Sequence, residues 1–191
     1  QMTIKPFCSA KQAIAAIEAF TSIIDHDNVP PDSISKVVVR VPPPYSRMVA
    51  MKAEAGARAS TIVSAAFQIG LAACHRERLY DIERADAMNE TAALALAGKV
   101  EIVADETLLE FFPATFPAEV EVTAGGKTLR KRITAANGDP GRAFDDAALA
   151  DKARRILGPS STEIIQAGLD GFRSEDGCKR LADVMWQATM D

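Results

Sequence analysis

The chain has 191 residues, 48% of them hydrophobic and 25% charged, with a formal net charge of -4; that length buries one sizeable core, so one domain, or one with an appendage, is expected. The acidic balance leaves no surplus cation for a phosphate backbone or an anionic bilayer, which argues against nucleic acid and membrane surfaces as partners. The longest nearly apolar stretch, Ser60 to Cys74, is interrupted by Thr61, Ser64 and Gln68 and falls short of the roughly 20 residues a membrane span needs. Lys5 and Lys11 flank no clean apolar segment of the kind a secretory signal has. Cys8, Cys74 and Cys178 are odd in number and far apart, which speaks against a disulfide framework and for a reducing compartment, the cytoplasm by default. His26 and His75 are the two histidines, too few ligands for a structural zinc site. Gln1 is an unusual natural start and suggests a trimmed product.

In chain order, Ser9 and Gln12 have the spacing of a capping box, and Ala13, Ile17, Phe20 and Ile24 follow at helical intervals, so a first helix is expected over 10–25. After a loop with Asn28, Pro30 and Pro31, the run from Lys36 to Val41 alternates as a strand does. Pro42, Pro43 and Pro44 end that strand and are expected to hand the chain to Tyr45 in an extended conformation. The Ala-, Gly- and Ser-rich run from Glu54 to Cys74 suits one closely packed, buried helix. A short amphipathic piece around Leu79 and Ile82 follows, then a helix from Asn89 to Ala97 closed by Gly98 in a left-handed C-terminal position, and a second strand from Val100 to Ala104.

Glu119 to Thr123 and Lys127 to Thr134 flank Gly125-Gly126, a dipeptide suited to the positive φ angles of a two-residue hairpin turn. In that register Glu121 faces Arg130, Glu119 faces Arg132 and Val122 faces Leu129. A turn at Asn137–Gly141 leads to a helix capped by Asp145 or Asp146 and closed by Gly158 and Pro159, and two further helices span about 161–172 and 176–189. Helices before and after a small, mainly antiparallel sheet, with further C-terminal helices, make the class α+β.

Gly126-Lys127-Thr128 imitates the end of a phosphate loop, but Glu121 stands where the first glycine belongs and the segment is a hairpin. His26 and His75 lack acidic or thiol neighbours at a relay spacing and read as loop or helix-surface residues. Cys8 near a helix N-terminus gains from the dipole, yet a buried inert thiol is the commoner case. Arg130-Lys131-Arg132 reads as a solvated strand face, and Gly138-Asp139-Pro140-Gly141 first as a turn. Lys5 differs in context: it precedes Pro6 in a short stiff segment that runs into the first helix, although a lone lysine is usually a solvated charge.

Lys5-Pro6-Phe7, the helix from Ala13 to Ala19, Val29 to Ile34 and the strand from Lys36 to Val41 together resemble the start of the second domain of the MmgE/PrpD family. Ala57-Arg58-Ala59-Ser60, Val100 to Asp105, the Gly125-Gly126 hairpin, Gly138-Asp139-Pro140 and Lys152 continue the likeness in order, over most of 4–157. The family includes 2-methylcitrate dehydratase, cis-aconitate decarboxylase and iminodisuccinate epimerase, which act on small di- and tricarboxylates without a metal or organic cofactor. Its members have a large helical domain, formed from the N-terminal part and the last helices, with an α+β lid between. The resemblance therefore implies that 1–157 is the lid, that 158–191 rejoin a helical domain this chain lacks, and that the isolated chain is inactive. It also implies a homodimer in the full-length protein, with Ile164, Ile165, Phe172, Val184 and Trp186 as apolar surface.

In the family the lid supplies a lysine and, in some members, a tyrosine after the first strand; Lys5 and Tyr45 occupy those places and are the expected catalytic residues. Lys5 is expected to bind charge rather than remove a proton, because a nearby polycarboxylate favours the charged ammonium. Several relatives carry histidine where this chain has Ala10 and Ile14, and proline where it has Cys8. The expected function is thus part of a cofactor-independent lyase or isomerase. The competing expectation is a non-catalytic α+β interaction module, or a member that has lost its chemistry.

Overall fold

The structure is a computed structural model that describes residues 3–84, 86–158, 161–171 and 175–188. Two compact units divide the chain, Gln1–Ala143 and Phe144–Asp191. In the first, helix α1 (Lys11–His26) leads through a short turn to strand β1 (Ile34–Val41), and helices α2 (Pro43–Val49), α3 (Arg58–Val63), α4 (Ala65–Cys74) and α5 (Thr91–Ala97) precede β2 (Val100–Ala104). Strands β3 (Ala118–Ala124) and β4 (Lys127–Ile133) close the sheet in the order β2-β1-β3-β4. The class is α+β, as the order of the elements implies. β1 runs parallel to β2 and antiparallel to β3, which pairs antiparallel with β4, so the sheet is mixed, with two of its three pairings antiparallel.

Period-two alternation assigns the sheet its faces. Val37 lies opposite Val122 and Val100, and Val39 opposite Val120 and Ile102, so one face is a continuous valine and isoleucine surface. α1 packs on that face over β3 and β4 and meets α4 with its other side. Ala13, Ala15, Ala16 and Ala19 allow close approach, while Ile14, Ile17 and Phe20 fill the space between, all fully buried. The outer face carries ion pairs. Glu121 lies opposite Arg130 and Glu119 opposite Arg132, with Val122 opposite Leu129 on the inner side, as the sequence implies. Arg130 bonds Glu121 at 2.5 Å and Arg132 bonds Glu119 at 2.9 Å; each cross-strand pair contributes roughly 0.2–1 kcal/mol. Gly125 and Gly126 have φ of +54° and +77°, the left-handed values that turn demands.

Four local expectations are corrected. Pro42 to Pro44 do not extend the chain to Tyr45: Pro42 caps α2, and Pro43 and Pro44 occupy its first turn, where the missing N–H groups have no helical partner in any case. The run from Glu54 to Cys74 is not one helix. Gly56 takes a φ of +75°, and Ser64 ends α3 in extended geometry while accepting a bond from the Phe67 amide to cap α4. The capping box at Ser9 is absent, since Ala10 is the N-cap of α1 and Ser9 is fully buried. Gly98 closes α5 with a right-handed φ of -64°, bonded back to Leu94 and Leu96, so no left-handed residue is needed there.

The second unit holds helices α6 (Asp146–Leu157), α7 (Ser161–Gly171) and α8 (Glu175–Ala188), with α7 and α8 packed together. The Asp145 carboxylate caps α6 at the Ala148 amide, and Gly158 closes it at a φ of +68°. α6, placed at the end of the lid by the sequence, groups with the last two helices. Of the apolar residues expected at the surface here, Ile165 and Trp186 are exposed, Ile164 is half-buried and Val184 is buried; Phe172 lies outside the described residues. No helix among the described residues is long and apolar enough to cross a membrane.

α4 and α5 meet at Gly70, where an added Cβ would stand 2.1 Å from the Ala93 carbonyl oxygen. That obstacle is backbone and cannot rotate aside, so Gly70→Ala is expected to destabilise the protein by about 3 kcal/mol. At Gly168 in α7 an added Cβ would stand 4.0 Å from Leu181 Cδ1, an ordinary contact, and Gly168→Ala is expected to stabilise by roughly 0.5–1 kcal/mol. Thermal unfolding of the two variants checks both signs, and an unchanged Tm for Gly70→Ala contradicts the close approach.

Candidate active-site edge

The residues that precede α1 form a short irregular segment held from three sides. The Ile4 amide donates to the Gly138 carbonyl at 3.0 Å, the Cys8 amide to Leu79 at 2.9 Å and the Ala10 amide to Ile62 at 3.1 Å. Lys5 projects from this segment and is exposed, and its Nζ donates to the Ser9 carbonyl at 3.1 Å. Phe7 is half-buried and lies edge-on to Tyr80, with ring centroids 6.4 Å apart. The ammonium therefore stands at the surface on a backbone that is itself tied down.

One tie runs through the turn at 136–142. Gly138 has a φ of +86°, and the Asp139 carboxylate, only 4% exposed, pairs with Lys11 at the start of α1. Its second oxygen accepts the Ala136 amide at 2.9 Å, and Thr3 Oγ1 lies 3.5 Å from the first. Further along α1, Glu18 accepts from Arg142 at 2.6 Å and from the Asn137 amide at 2.8 Å. Lys11 is thus half of a largely buried ion pair, and Gly138-Asp139-Pro140 is a turn with an anchoring task. The separation of 128 positions between the partners deprives sequence spacing of any signal for it.

A second tie runs through Gln68 and Arg84. The Cys8 carbonyl accepts Arg84 Nη2 at 2.6 Å and Gln68 Nε2 at 3.3 Å, and Gln68 Nε2 also reaches the Thr61 carbonyl at 2.9 Å. Both side chains are buried. The sequence marked Gln68 only as a polar break in an apolar run and Arg84 not at all, since each meets its partner only after folding.

Tyr45 has other surroundings. It lies in the first turns of α2, 6% exposed, between Phe112 and Phe116 with ring centroids 5.8 and 5.6 Å away. Its hydroxyl donates to the Pro117 carbonyl at 2.9 Å, and burial pushes the phenol's pKa upward, which keeps it protonated. Lys5 and Tyr45 are therefore held by different partners, one exposed and one in the core. Ala10 is half-buried at the N-cap and Ile14 is fully buried against the sheet, so neither position presents a polar group.

His75 corrects its sequence reading: Nε2 lies 3.0 Å from Glu90 Oε2, and Arg78 Nε lies 3.0 Å from the same carboxylate. Glu77, two residues on, lies 3.9 Å from Nδ1, so His75 has one acidic neighbour close in sequence and another fifteen residues away. Cys8 and Cys74 are half-buried free thiols, and burial pushes the Cys74 thiol up toward its neutral form. Among the described residues no group of three or more His, Cys, Asp and Glu is arranged to hold a metal ion.

A family model described as the MmgE/PrpD C-terminal domain matches residues 7–167. No curated protein matches the chain. The match covers the ties from α4, the 78–84 segment and the 136–142 turn, and begins two residues after Lys5.

Asp139→Asn keeps an acceptor for the Ala136 amide but removes the charge facing Lys11. The pair is partly screened, since the Lys11 side chain is 20% exposed, so the expected loss is about 2 kcal/mol. For a chain of this size that corresponds to a Tm lower by roughly 4–8 °C. Thermal denaturation checks it, and an unchanged Tm would show that the pair contributes nothing.

Proposed function

Because the chain belongs to the MmgE/PrpD family, we propose that it contributes the lysine-bearing edge of a cofactor-independent lyase or isomerase acting on a small di- or tricarboxylate. The observation that carries this reading is that Lys5 is an exposed residue on a segment whose backbone is tied at Ile4, Cys8 and Ala10. Elimination, decarboxylation and epimerisation beside a carboxylate all build negative charge on the carboxylate oxygens as a proton or carbon dioxide leaves the neighbouring carbon. A fixed ammonium stabilises that charge more than it stabilises the ground state, and a held backbone reduces the reorganisation needed when the charge appears. The hydrogen bond from Lys5 to the Ser9 carbonyl engages one N–H and leaves two donors for a substrate carboxylate.

In this proposal the remaining contacts come from a helical domain of the same protein, the full-length protein is a homodimer, and its compartment is the cytoplasm. Residues 1–157 act as the lid and 158–191 return to the helical domain. Tyr45 is assigned to the same edge as a hydrogen-bond donor, and because its hydroxyl is engaged by Pro117, that role requires the bond to be exchanged for one to substrate. A second reading is a member whose chemistry is altered or lost: Ala10 is half-buried and Ile14 fully buried, and by the family resemblance these are places where some members carry histidine.

The test assays the full-length protein on a panel that includes 2-methylcitrate, cis-aconitate and iminodisuccinate. On the acid that is turned over, Lys5→Ala is expected to lower kcat/KM by roughly 10²–10³. An unchanged kcat/KM removes Lys5 from the mechanism, and turnover of no acid on the panel favours the second reading.

A further inference from the structure

Arg84 combines two unfavourable features that nothing so far accounts for. Its side chain is almost wholly buried, and among the described residues no carboxylate accepts a bond from its guanidinium, whose Nε has no partner at all. Its backbone sits at a φ of +58°, a left-handed value uncommon for a long side chain. Burial accordingly works against the charged form, eased first by the neighbouring Cys8 and then by the Asp81 carboxylate, which accepts the Arg84 amide at 3.0 Å. A buried cation bonded to neutral acceptors in a strained backbone persists where the surroundings fix it for a purpose.

The acceptors show what is fixed. Nη2 donates to the Cys8 carbonyl at 2.6 Å and lies 3.4 Å from Gln68 Oε1, while Nη1 donates to the Arg78 carbonyl. Arg78 immediately precedes Leu79, whose carbonyl accepts the Cys8 amide. One planar guanidinium therefore spans both sides of the contact between the Lys5 segment and the 78–84 segment, a geometry that a fork of fixed donors supports and a single ammonium does not. The Cys8 carbonyl belongs to the Cys8–Ser9 peptide, whose amide turns back to Phe7 at 3.0 Å, and the next carbonyl, that of Ser9, receives the Lys5 ammonium.

We infer that Arg84 is a positioning residue for Lys5: by holding the Cys8–Ser9 peptide plane from beneath, it fixes the Ser9 carbonyl on which the Lys5 ammonium rests. Its functional meaning rests on the proposed role of Lys5, whereas its geometry does not. Gln68 supports the same carbonyl from α4, so the segment gains a second donor from a regular element while Arg84 supplies the link to the irregular one.

The test uses the 191-residue chain and needs no substrate, so it fails or succeeds independently of whether Lys5 acts in catalysis. Lys5 and the exposed hairpin residue Lys127 are acetylated in competition by a limiting N-hydroxysuccinimide ester, and their relative rates are read by peptide mass spectrometry. Arg84→Met, folded by far-UV circular dichroism, is expected to raise the Lys5 to Lys127 ratio about three- to tenfold, the change that loss of one modest hydrogen bond gives. Arg84→Lys, which keeps the cation without the fork, is expected to fall between parent and Arg84→Met, and it alone carries the test if Arg84→Met does not fold. A ratio equal to the parent's in a folded variant overturns the inference. So does a rise shared equally by Lys127, which marks general loosening rather than positioning.

Discussion

From Ala13 to Ile24 no residue of α1 is exposed, because the helix is covered by the sheet on one side and by α4 on the other. A helix without a wet face places a demand on its N-terminal end. The residues before it find partners for their backbone groups in the segments packed around them. Those partners are the carbonyls of Ile62, Leu79 and Gly138, which come from α3, the 76–79 turn and the 136–142 turn. The same burial that forms the core thus also fixes the segment from which Lys5 projects.

The two polar arrangements around that segment follow from the same constraint. Lys11 begins a largely buried helix, so its charge is matched by Asp139 rather than by water, and the matching carboxylate orders the turn that accepts the Ile4 amide. On the other side Arg84 and Gln68 satisfy a Cys8 carbonyl that the core would otherwise leave without a donor. Ser9 shows the cost of this crowding: it is fully buried and its hydroxyl has no hydrogen-bond partner among the described residues. An exposed lysine on a braced backbone suits the binding of anionic charge, which the function proposed for this member of the MmgE/PrpD family would use.

What could be read from the sequence was what is local. The hairpin register followed from two glycines and two pairs of opposite charges within fourteen residues, and α1 and β1 followed from their periods. The proline run failed because proline both ends a strand and begins a helix, and only tertiary packing chose the second at Pro43 and Pro44. The break at Ser64 was masked by helix-forming residues on both sides, since a serine that caps one helix while ending another looks in sequence like a serine inside one. The parallel pairing of β1 with β2 spans four helices and leaves no local mark. The candidate site divided in the same way: Lys5 was visible beside Pro6 and the family landmarks, whereas the partners that hold it, Asp139, Gln68 and Arg84, lie 60 to 128 residues from the groups they bond.

The central claim is that the segment carrying Lys5 is part of the rigid body of the fold rather than a surface tail. Native-state amide hydrogen exchange resolved to single residues tests it most directly. The Ile4, Cys8 and Ala10 amides are expected to be protected by factors of roughly 10² or more, as amides bonded to core elements are and loop amides are not. Exchange of those three amides at the rate of an unprotected chain, with α1 itself still protected, would contradict the account.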